Sequence, residues 1–287
     1  MAFIESKEFA YGNKREKIFY ISFLVIIFLL SFLFLFPIYW MFKGAFQPTF
    51  MAMQVPPTFL PTHLTTDNFH KLFTRFPSFR WLLNSAVVAG SATILTLVIG
   101  SMAGYAFAKR RFPGRELIFW MLLTAMMLPK QVMLVPLYVL MNKYHLYNTY
   151  AGMFLPQVAW PFGLFLMRQF MQSIPDELIQ SAKVDGASEL RVFLSIIVPL
   201  SIPAFGTVGI LYFVRTWNDY MWQLIMVRDP IMNTLPVAIS KVARGEWSVD
   251  YGLMMAGAAY GAVPMIIIFL FFQKYFVKGL TLGAVKG

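Results

Sequence analysis

Ionisable side chains are rare inside the long apolar stretches of this sequence, so those found there are the first candidates for chemistry. Arg215 and Asp219 lie four positions apart in one stretch. Residues at this spacing share a helix face, which predicts an ion pair. Charges within lipid normally face a bundle interior, so the pair either lines a translocation pathway or fixes helix packing. A pathway would also include the neighbouring side chains Trp217, Asn218, Tyr220 and Trp222.

A second polar site lies in another apolar stretch, where Lys130 and Gln131 stand between Pro129 and Pro136. Proline removes a backbone donor and interrupts a helix. The pattern predicts either a broken helix beside a cavity or a kink from which Lys130 reaches the membrane surface. Both residues are therefore candidates for the same pathway.

The sequence offers no constellation for catalysis or metal binding. It has no Cys and only three His, and it lacks the motifs of P-loop ATPases, zinc proteases and serine hydrolases. We predict that the chain is not an enzyme and binds no metal or cofactor. If the chain does work, the energy comes from elsewhere.

Composition favours an integral membrane protein. Of 287 residues, 59% are hydrophobic and 13% charged, far from the balance of soluble domains. The net charge of +11 is typical either of nucleic-acid binding or of a membrane protein with basic cytoplasmic loops. The high hydrophobicity favours the membrane protein. Apolar stretches long enough to cross a bilayer predict six transmembrane helices: Ile18–Phe42, Leu82–Ala108, Leu117–Met141, Tyr150–Phe170, Ile202–Val227 and Gly252–Phe276.

Basic residues predict the orientation of these spans. Fourteen Lys and Arg fall in the termini and the second and fourth loops, against eight in the alternate loops. Positive charge collects on the cytoplasmic side, which places both termini in the cytoplasm. We expect residues 1–81 to form an N-terminal segment, first span and external loop. Residues 82–287 form a five-helix core with a cytoplasmic loop over 168–199 and a tail over 277–287.

Small residues predict close helix packing in two of the spans. The second span contains Gly100-x-x-x-Gly104 and the sixth contains Gly257-x-x-x-Gly261. This spacing lets helix backbones approach closely, inside one subunit or between two.

The fourth loop is helical in character rather than linker-like. Asp176 and Glu177 follow Pro175, at the helix start where the dipole favours acids. Asp185 and Gly186 then predict a tight reversal, since Gly tolerates a left-handed conformation. The loop is either a helical hairpin on the membrane surface or a docking element for a soluble partner.

The residues of this loop carry a resemblance. The run Pro175-Asp-Glu-Leu-Ile-Gln-Ser-Ala-Lys-Val-Asp-Gly-Ala-Ser188 resembles the cytoplasmic "EAA" loop of binding-protein-dependent ABC importer permeases. It is most similar to the MalG-like half of the carbohydrate-importer family. Three further segments support that half: Trp217-Asn-Asp-Tyr-x-Trp222, Thr234-Leu-Pro236 and the C-terminal run from Gln273 to Gly287.

The resemblance implies a type I ABC importer permease in a bacterial or archaeal plasma membrane. It implies a homologous permease as heterodimer partner, two ATP-binding subunits and an extracytoplasmic solute-binding protein, with lipid around them and no nucleic acid. The cargo would be a sugar, an oligosaccharide or a related polyol or glycerol phosphate. The ATPase contact would use the coupling loop between helices 4 and 5, through Asp176, Glu177, Gln180, Ser181, Ala182, Asp185 and Gly186.

One departure from the family's pattern concerns this contact. Gln180 and Ser181 stand where the family commonly has Glu and Ala, so the ionic contact is expected to weaken or to shift to Glu177 or Asp176. The resemblance also implies an ATPase contact for the tail, through Lys278, Gly279, Gly283 and Lys286.

Three other functions stay open on the sequence. The first is an ABC permease for a non-sugar solute. The second is an ion-coupled secondary transporter, for which Lys130, Arg215 and Asp219 offer little material. The third is a membrane sensor or scaffold, which would bind without uptake.

Overall fold

A computed structural model describes residues 14–52, 54–244 and 249–282, and within them the regular secondary structure is helical. The only strand-like pairing in these residues is an isolated bridge between Arg244 and Val249. The helices are α1 (Lys14–Ala45), α2 (Thr49–Ala52), α3 (Asp67–Arg75), α4 (Ser78–Lys109), α5 (Arg115–Thr124), α6 (Lys130–Lys143), α7 (Tyr150–Phe154), α8 (Pro161–Gln172), α9 (Asp176–Val184), α10 (Glu189–Val192), α11 (Val198–Leu200), α12 (Ile202–Trp217), α13 (Met221–Met226), α14 (Leu235–Val242) and α15 (Tyr251–Leu282). The predicted all-α class is confirmed.

Three helices, α1, α4 and α15, are long and apolar enough to cross a membrane alone. Three further candidates are bent pairs: α5 with α6 at 102°, α7 with α8 at 52°, and the segment Glu189–Leu200 with α12 at 75°. If each pair is one span, the described residues hold up to six, which allows the predicted number. The continuous helix predicted over Ile202–Val227 is wrong, because α12 ends at Trp217 and α13 begins at Met221.

Proline explains where the three bent pairs break. Pro129 precedes α6, Pro161 begins α8, and Pro203 is the second residue of α12. A proline in the first helical turn loses no hydrogen bond, but it cannot continue a preceding helix. A break inside a span leaves backbone groups and polar side chains that only a protein interior or a water-filled cavity can receive.

Helix α4 is the central element of the fold, packing against α8, α12 and α14. At Gly104 an added Cβ would lie 2.7 Å from Cβ of Met167, so α4 and α8 meet there almost backbone to backbone. Gly100 has no atom within 4 Å of such a Cβ. Among the residues that the structure describes, Gly104 therefore allows close helix packing, whereas Gly100 has no packing partner.

Helix α1 lies at the periphery and packs mainly on α15. Its contacts gather at its C-terminal end, where Ala45 is buried against Ala256 and Ala259. Most side chains from Ile18 to Leu35 face outwards. The division at residue 81 stays a prediction, since α3 also packs on α15 and α4.

The segment after α13 folds back onto the core. Helix α14 packs on α15 and α4, and its Ile239 fills the space beside Gly257, where an added Cβ would lie 2.4 Å from the Ile239 Cδ1. Gly261 faces Leu235 in the same way. The two glycines of the sixth predicted span thus pack against α14, a short helix that lies outside the six predicted spans.

Candidate functional site

The intramembrane carboxylate of Asp219 pairs with Lys130, not with Arg215. The Lys130 Nζ lies 2.9 Å from the Asp219 Oδ2, and the Asp219 side chain is only 7% exposed. The predicted Arg215–Asp219 pair is wrong because α12 ends at Trp217, which places Asp219 in the break before α13. The four-residue spacing therefore no longer describes one helix face.

Lys130 is the first residue of α6, directly after the break at Pro129. Its pair with Asp219 therefore ties the break between α5 and α6 to the break between α12 and α13. A cation that holds a partner across two helices is not reaching for the membrane surface, so that alternative is wrong for Lys130. Gln131 beside it is exposed.

Arg215 points to a third break, between α7 and α8. Its guanidinium carbon lies 5.6 Å from the ring centre of Trp160 and 5.7 Å from that of Tyr212. Trp160 directly precedes α8, and the Tyr212 hydroxyl donates to the carbonyl of Gln157, just before that break. Charged and aromatic side chains thus gather where three spans are interrupted, as polar pathways in membrane proteins require.

Trp222 does not belong to this polar region. It is 1% exposed, packs in a cluster with Val88 and Met153, and its Nε1 donates to the carbonyl of Gly152 at 3.1 Å. The prediction that its ring faces a pathway is wrong, because α13 turns it towards α7. The sequence alone could not show this, since the turn depends on the break at Asn218.

Trp217 and Asn218 line a different space from Arg215. They border a cavity of about 590 Å³ between α12, α14 and α15, whose walls include Pro236, Ser240 and Gly257. The Tyr220 hydroxyl lies 3.1 Å from the Ser240 Oγ at this cavity. The predicted pathway residues therefore form two groups, one around the breaks and one around the cavity.

The coupling segment is anchored to the end of α4 by ion pairs. Lys109 Nζ lies 2.6 Å from Asp176 Oδ1 and also donates to the carbonyl of Ile174, and its side chain is only 6% exposed. The hydrogen bond and the positive charge of Lys109 lower the pKa of Asp176 below its usual range. Asp176 thus holds α9 in place, which leaves Glu177 as the acidic residue without an ion pair in the described part of α9.

A second set of contacts holds the far end of the segment. Arg110 pairs with Glu189, which also accepts from the Tyr105 hydroxyl at 3.1 Å and from Lys183 at 2.8 Å. Lys183 and Glu189 close the reversal between α9 and α10, where Gly186 has a φ of +79°. The predicted left-handed turn at Asp185–Gly186 is confirmed.

One face of α9 is left uncovered. Ile179 is buried in a cluster with Met171 and Val192, and Ala182 packs against it. The opposite stripe, Glu177, Gln180, Ser181 and Val184, is exposed, and Val184 keeps 87% of its surface. A helix that buries one face and presents an apolar side chain on the other has the pattern of a docking surface.

The predicted tail contacts fall at the edge of the described chain. Lys278 and Gly279 belong to α15, whose helix continues to Leu282, beyond the predicted span end at Phe276. Gly283 and Lys286 lie outside the described residues. Within those residues, no group of three or more His, Asp or Glu is placed to hold a metal ion.

Residues 96–282 match the family described as the inner membrane component of binding-protein-dependent transport systems. The chain belongs to this family, and it is a multi-pass protein of the plasma (inner) membrane. As a class, such proteins are permeases of ABC importers that work with a partner permease, ATPase subunits and a solute-binding protein.

Individual members of the family and one solved structure are similar to this chain over most of its length. The chain is 39% identical to the arabinooligosaccharides transport system permease protein AraQ of Bacillus subtilis, over 90% of this chain and 93% of that protein. It is 34% identical to the sn-glycerol-3-phosphate transport system permease protein UgpE of Shigella flexneri, over 86% and 90%. In a crystal structure of a bacterial ABC transporter that imports the acidic polysaccharide alginate, one chain superposes with a TM-score of 0.81 at 21% identity, over 92% of this chain and 98% of that one. That last similarity shows a shared fold.

Proposed function

We propose that this chain is the permease subunit of an ATP-driven importer for carbohydrate, meaning a sugar, an oligosaccharide or a related polyol or glycerol phosphate. It would pair with a homologous permease as a heterodimer, two ATP-binding subunits and an extracytoplasmic solute-binding protein. The names of the AraQ and UgpE relatives support the substrate class. In this proposal ATP and magnesium are bound by the partner subunits, and the chain itself is not an enzyme.

The observation that carries the proposal is the division of α9 into two faces. Its inner face is buried and tied to α4, while its outer face presents Glu177, Gln180, Ser181 and Val184. We place this outer face in the cytoplasm, with both termini on the same side, from the distribution of basic residues. Asp185 and Gly186 then close the docking element, and Ala182 supports it from within.

The anchoring contacts explain how motion would pass into the membrane. Lys109 and Arg110 end α4, and they hold the two ends of the coupling segment through Asp176 and Glu189. When the ATP-binding subunits close, a displacement of α9 would therefore be carried to α4 as a rigid connection. Helix α4 packs on α8 and α12, so alternating access would follow from rotation of these spans together.

We assign the translocation pathway to the region of the helix breaks and the adjoining cavity. Arg215, Asp219, Lys130 and Gln131 supply its charged and polar groups. Trp217, Asn218 and Tyr220 line or border the cavity, where rings and an amide suit a hydroxylated cargo. The tail, with Lys278, Gly279, Gly283 and Lys286, is proposed as a second contact with the ATP-binding subunits.

Photo-crosslinking tests the docking surface. Because the chain contains no Cys, Val184→Cys introduces a single thiol that can be labelled with a benzophenone maleimide in the assembled importer. Irradiation is expected to join this chain to an ATP-binding subunit, and the product is identified by mass spectrometry.

A matched control exists in the external loop. Val55 is 90% exposed, close to the value for Val184, so Val55→Cys reacts with the same reagent from the other side of the membrane. Equal crosslinking of both variants to an ATP-binding subunit, or none from Val184→Cys in an intact complex, would contradict the docking assignment.

A further inference from the structure

Arg215 is a cation at membrane depth whose charge is not balanced within the described chain. At about 1.5 Å per residue it lies roughly 20 Å along α12 from Ile202. Within residues 14–52, 54–244 and 249–282 it has no ion pair and no side-chain hydrogen bond, only the ring faces of Trp160 and Tyr212. The nearby carboxylate of Asp219 is already held by Lys130 at 2.9 Å.

The local charge is therefore positive. Lys130 and Asp219 cancel each other, and Arg215 remains. A charge at this depth avoids lipid and faces a bundle interior or a water-filled space, and the Arg215 side chain is exposed at the surface of this chain. The open side of Arg215 thus belongs to a space completed by the partner permease or by cargo.

The guanidinium of Arg215 favours an oxyanion as its ligand. A guanidinium presents planar paired donors that match carboxylate and phosphate groups. The faces of Trp160 and Tyr212 hold its carbon at 5.6 and 5.7 Å and restrict its orientation without neutralising it. Rings of basic side chains favour anions in other membrane pores for the same electrostatic reason.

We propose that Arg215 binds an anionic group of the cargo, so that the imported carbohydrate bears a carboxylate or a phosphate. This inference rests on the proposed importer function and adds a substrate class to it. Because Lys130 is already paired with Asp219, Arg215 would make the contact with the anionic group.

Selective depletion from the medium tests the proposal. Cells that produce the complete importer receive a mixture of galactobiose, digalacturonate and glycerol phosphate, and the decrease of each is followed by mass spectrometry against cells lacking this chain. The importer is expected to deplete digalacturonate or glycerol phosphate and to leave galactobiose. Those two anions distinguish a carboxylate from a phosphate cargo.

Variants of Arg215 test whether this residue causes the preference for an anionic cargo. Arg215→Gln is expected to lower anion uptake about tenfold, as the loss of a charge-assisted hydrogen bond would, while Arg215→Lys keeps part of it. Arg228→Gln removes an exposed positive charge elsewhere and should leave uptake unchanged. A structural role for Arg215 would instead reduce the amount of purified complex, which is measured alongside.

Two results would overturn the inference. One is depletion of galactobiose in preference to both anions, which leaves the importer function intact and removes only the anionic cargo. The other is anion uptake by Arg215→Gln at the wild-type rate. If no carbohydrate of any charge is depleted and the complex does not assemble, the proposed function itself fails.

Discussion

The chain holds opposite charges together in two regions with very different surroundings. At the end of α4, Lys109 and Arg110 meet Asp176 and Glu189, with Tyr105 and Lys183 as additional partners. At the helix breaks, Lys130 and Asp219 have one ion pair, and the Asp219 side chain is 7% exposed. The first region is a network of several partners, and the second is a single ion pair between two helix breaks.

This difference sets how each region responds to the loss of a charge. At the coupling segment the carboxylates of Asp176 and Glu189 are exposed, and such pairs contribute little individually. Lys109 is only 6% exposed but also donates to the carbonyls of Gln172 and Ile174, so it keeps other oxygen partners when Asp176 is removed. A charge left alone in a low-dielectric interior has no such replacement. The coupling segment should therefore tolerate single losses, whereas the helix breaks should not.

The strongest test of this contrast is Asp219→Asn. It leaves Lys130 without its partner and is expected to lower the free energy of unfolding by about 2–3 kcal/mol, near the lower end for broken buried pairs because Lys130 is partly exposed. The thermal unfolding midpoint of the purified protein in detergent measures it.

Two controls accompany that variant. Asp185→Asn removes an exposed carboxylate that has no ion pair in the described chain and should change the midpoint little. The double variant Lys130→Met with Asp219→Leu removes both charges and should recover much of the loss. A loss in Asp219→Asn no larger than in Asp185→Asn would show that the two regions do not differ.

A second test asks whether helix packing joins the two regions through α4. In Gly104→Ala the new Cβ would lie 2.7 Å from Met167 Cβ and 3.1 Å from the Arg168 nitrogen, so we expect a loss of about 1–3 kcal/mol. Gly100→Ala meets open space and should be neutral or gain up to about 1 kcal/mol. Thermal unfolding compares the two, and equal midpoints would argue against close packing at Gly104.

The smallest expected effect concerns Asp176 and depends on pH. Lys109 lowers the pKa of Asp176 in the folded chain, so the stabilisation is complete above the unfolded pKa and is lost as the pH falls through the folded value. Wild type should exceed Asp176→Asn in midpoint slightly at about pH 7, and the gap should shrink at about pH 3. A gap that grows on acidification would contradict the pair.

Much of the helical layout follows from hydropathy, as the first two long helices illustrate. The predicted Ile18–Phe42 and Leu82–Ala108 lie inside α1 and α4, which extend only a few residues further. Helices α1, α4 and α15 are continuous, so a stretch of apolar residues describes them well. The bent spans are described less well, because hydropathy indicates which residues lie in lipid but not where the helix axis changes direction.

The candidate site was harder to predict because it depends on those bends. The pairing of Lys130 with Asp219 requires two breaks to meet, and a helix wheel through Asn218 placed Asp219 beside Arg215 instead. Trp160 was missed, although its position before Pro161 marks a helix start. Lys109 was counted only as a positive charge, although its place at the end of a span, before the coupling loop, could have suggested an anchor.

The packing of α1 on α15 has a consequence for biogenesis. Helix α1 is synthesised well before α15, yet it makes its main contacts with that helix, through Ala45, Ala256 and Ala259. During synthesis α1 therefore waits in the bilayer without its partner, and assembly of the subunit cannot finish until translation reaches α15. A truncated chain that lacks α15 would leave α1 and α2 without their main packing partner, whereas α3 would keep its contacts with α4.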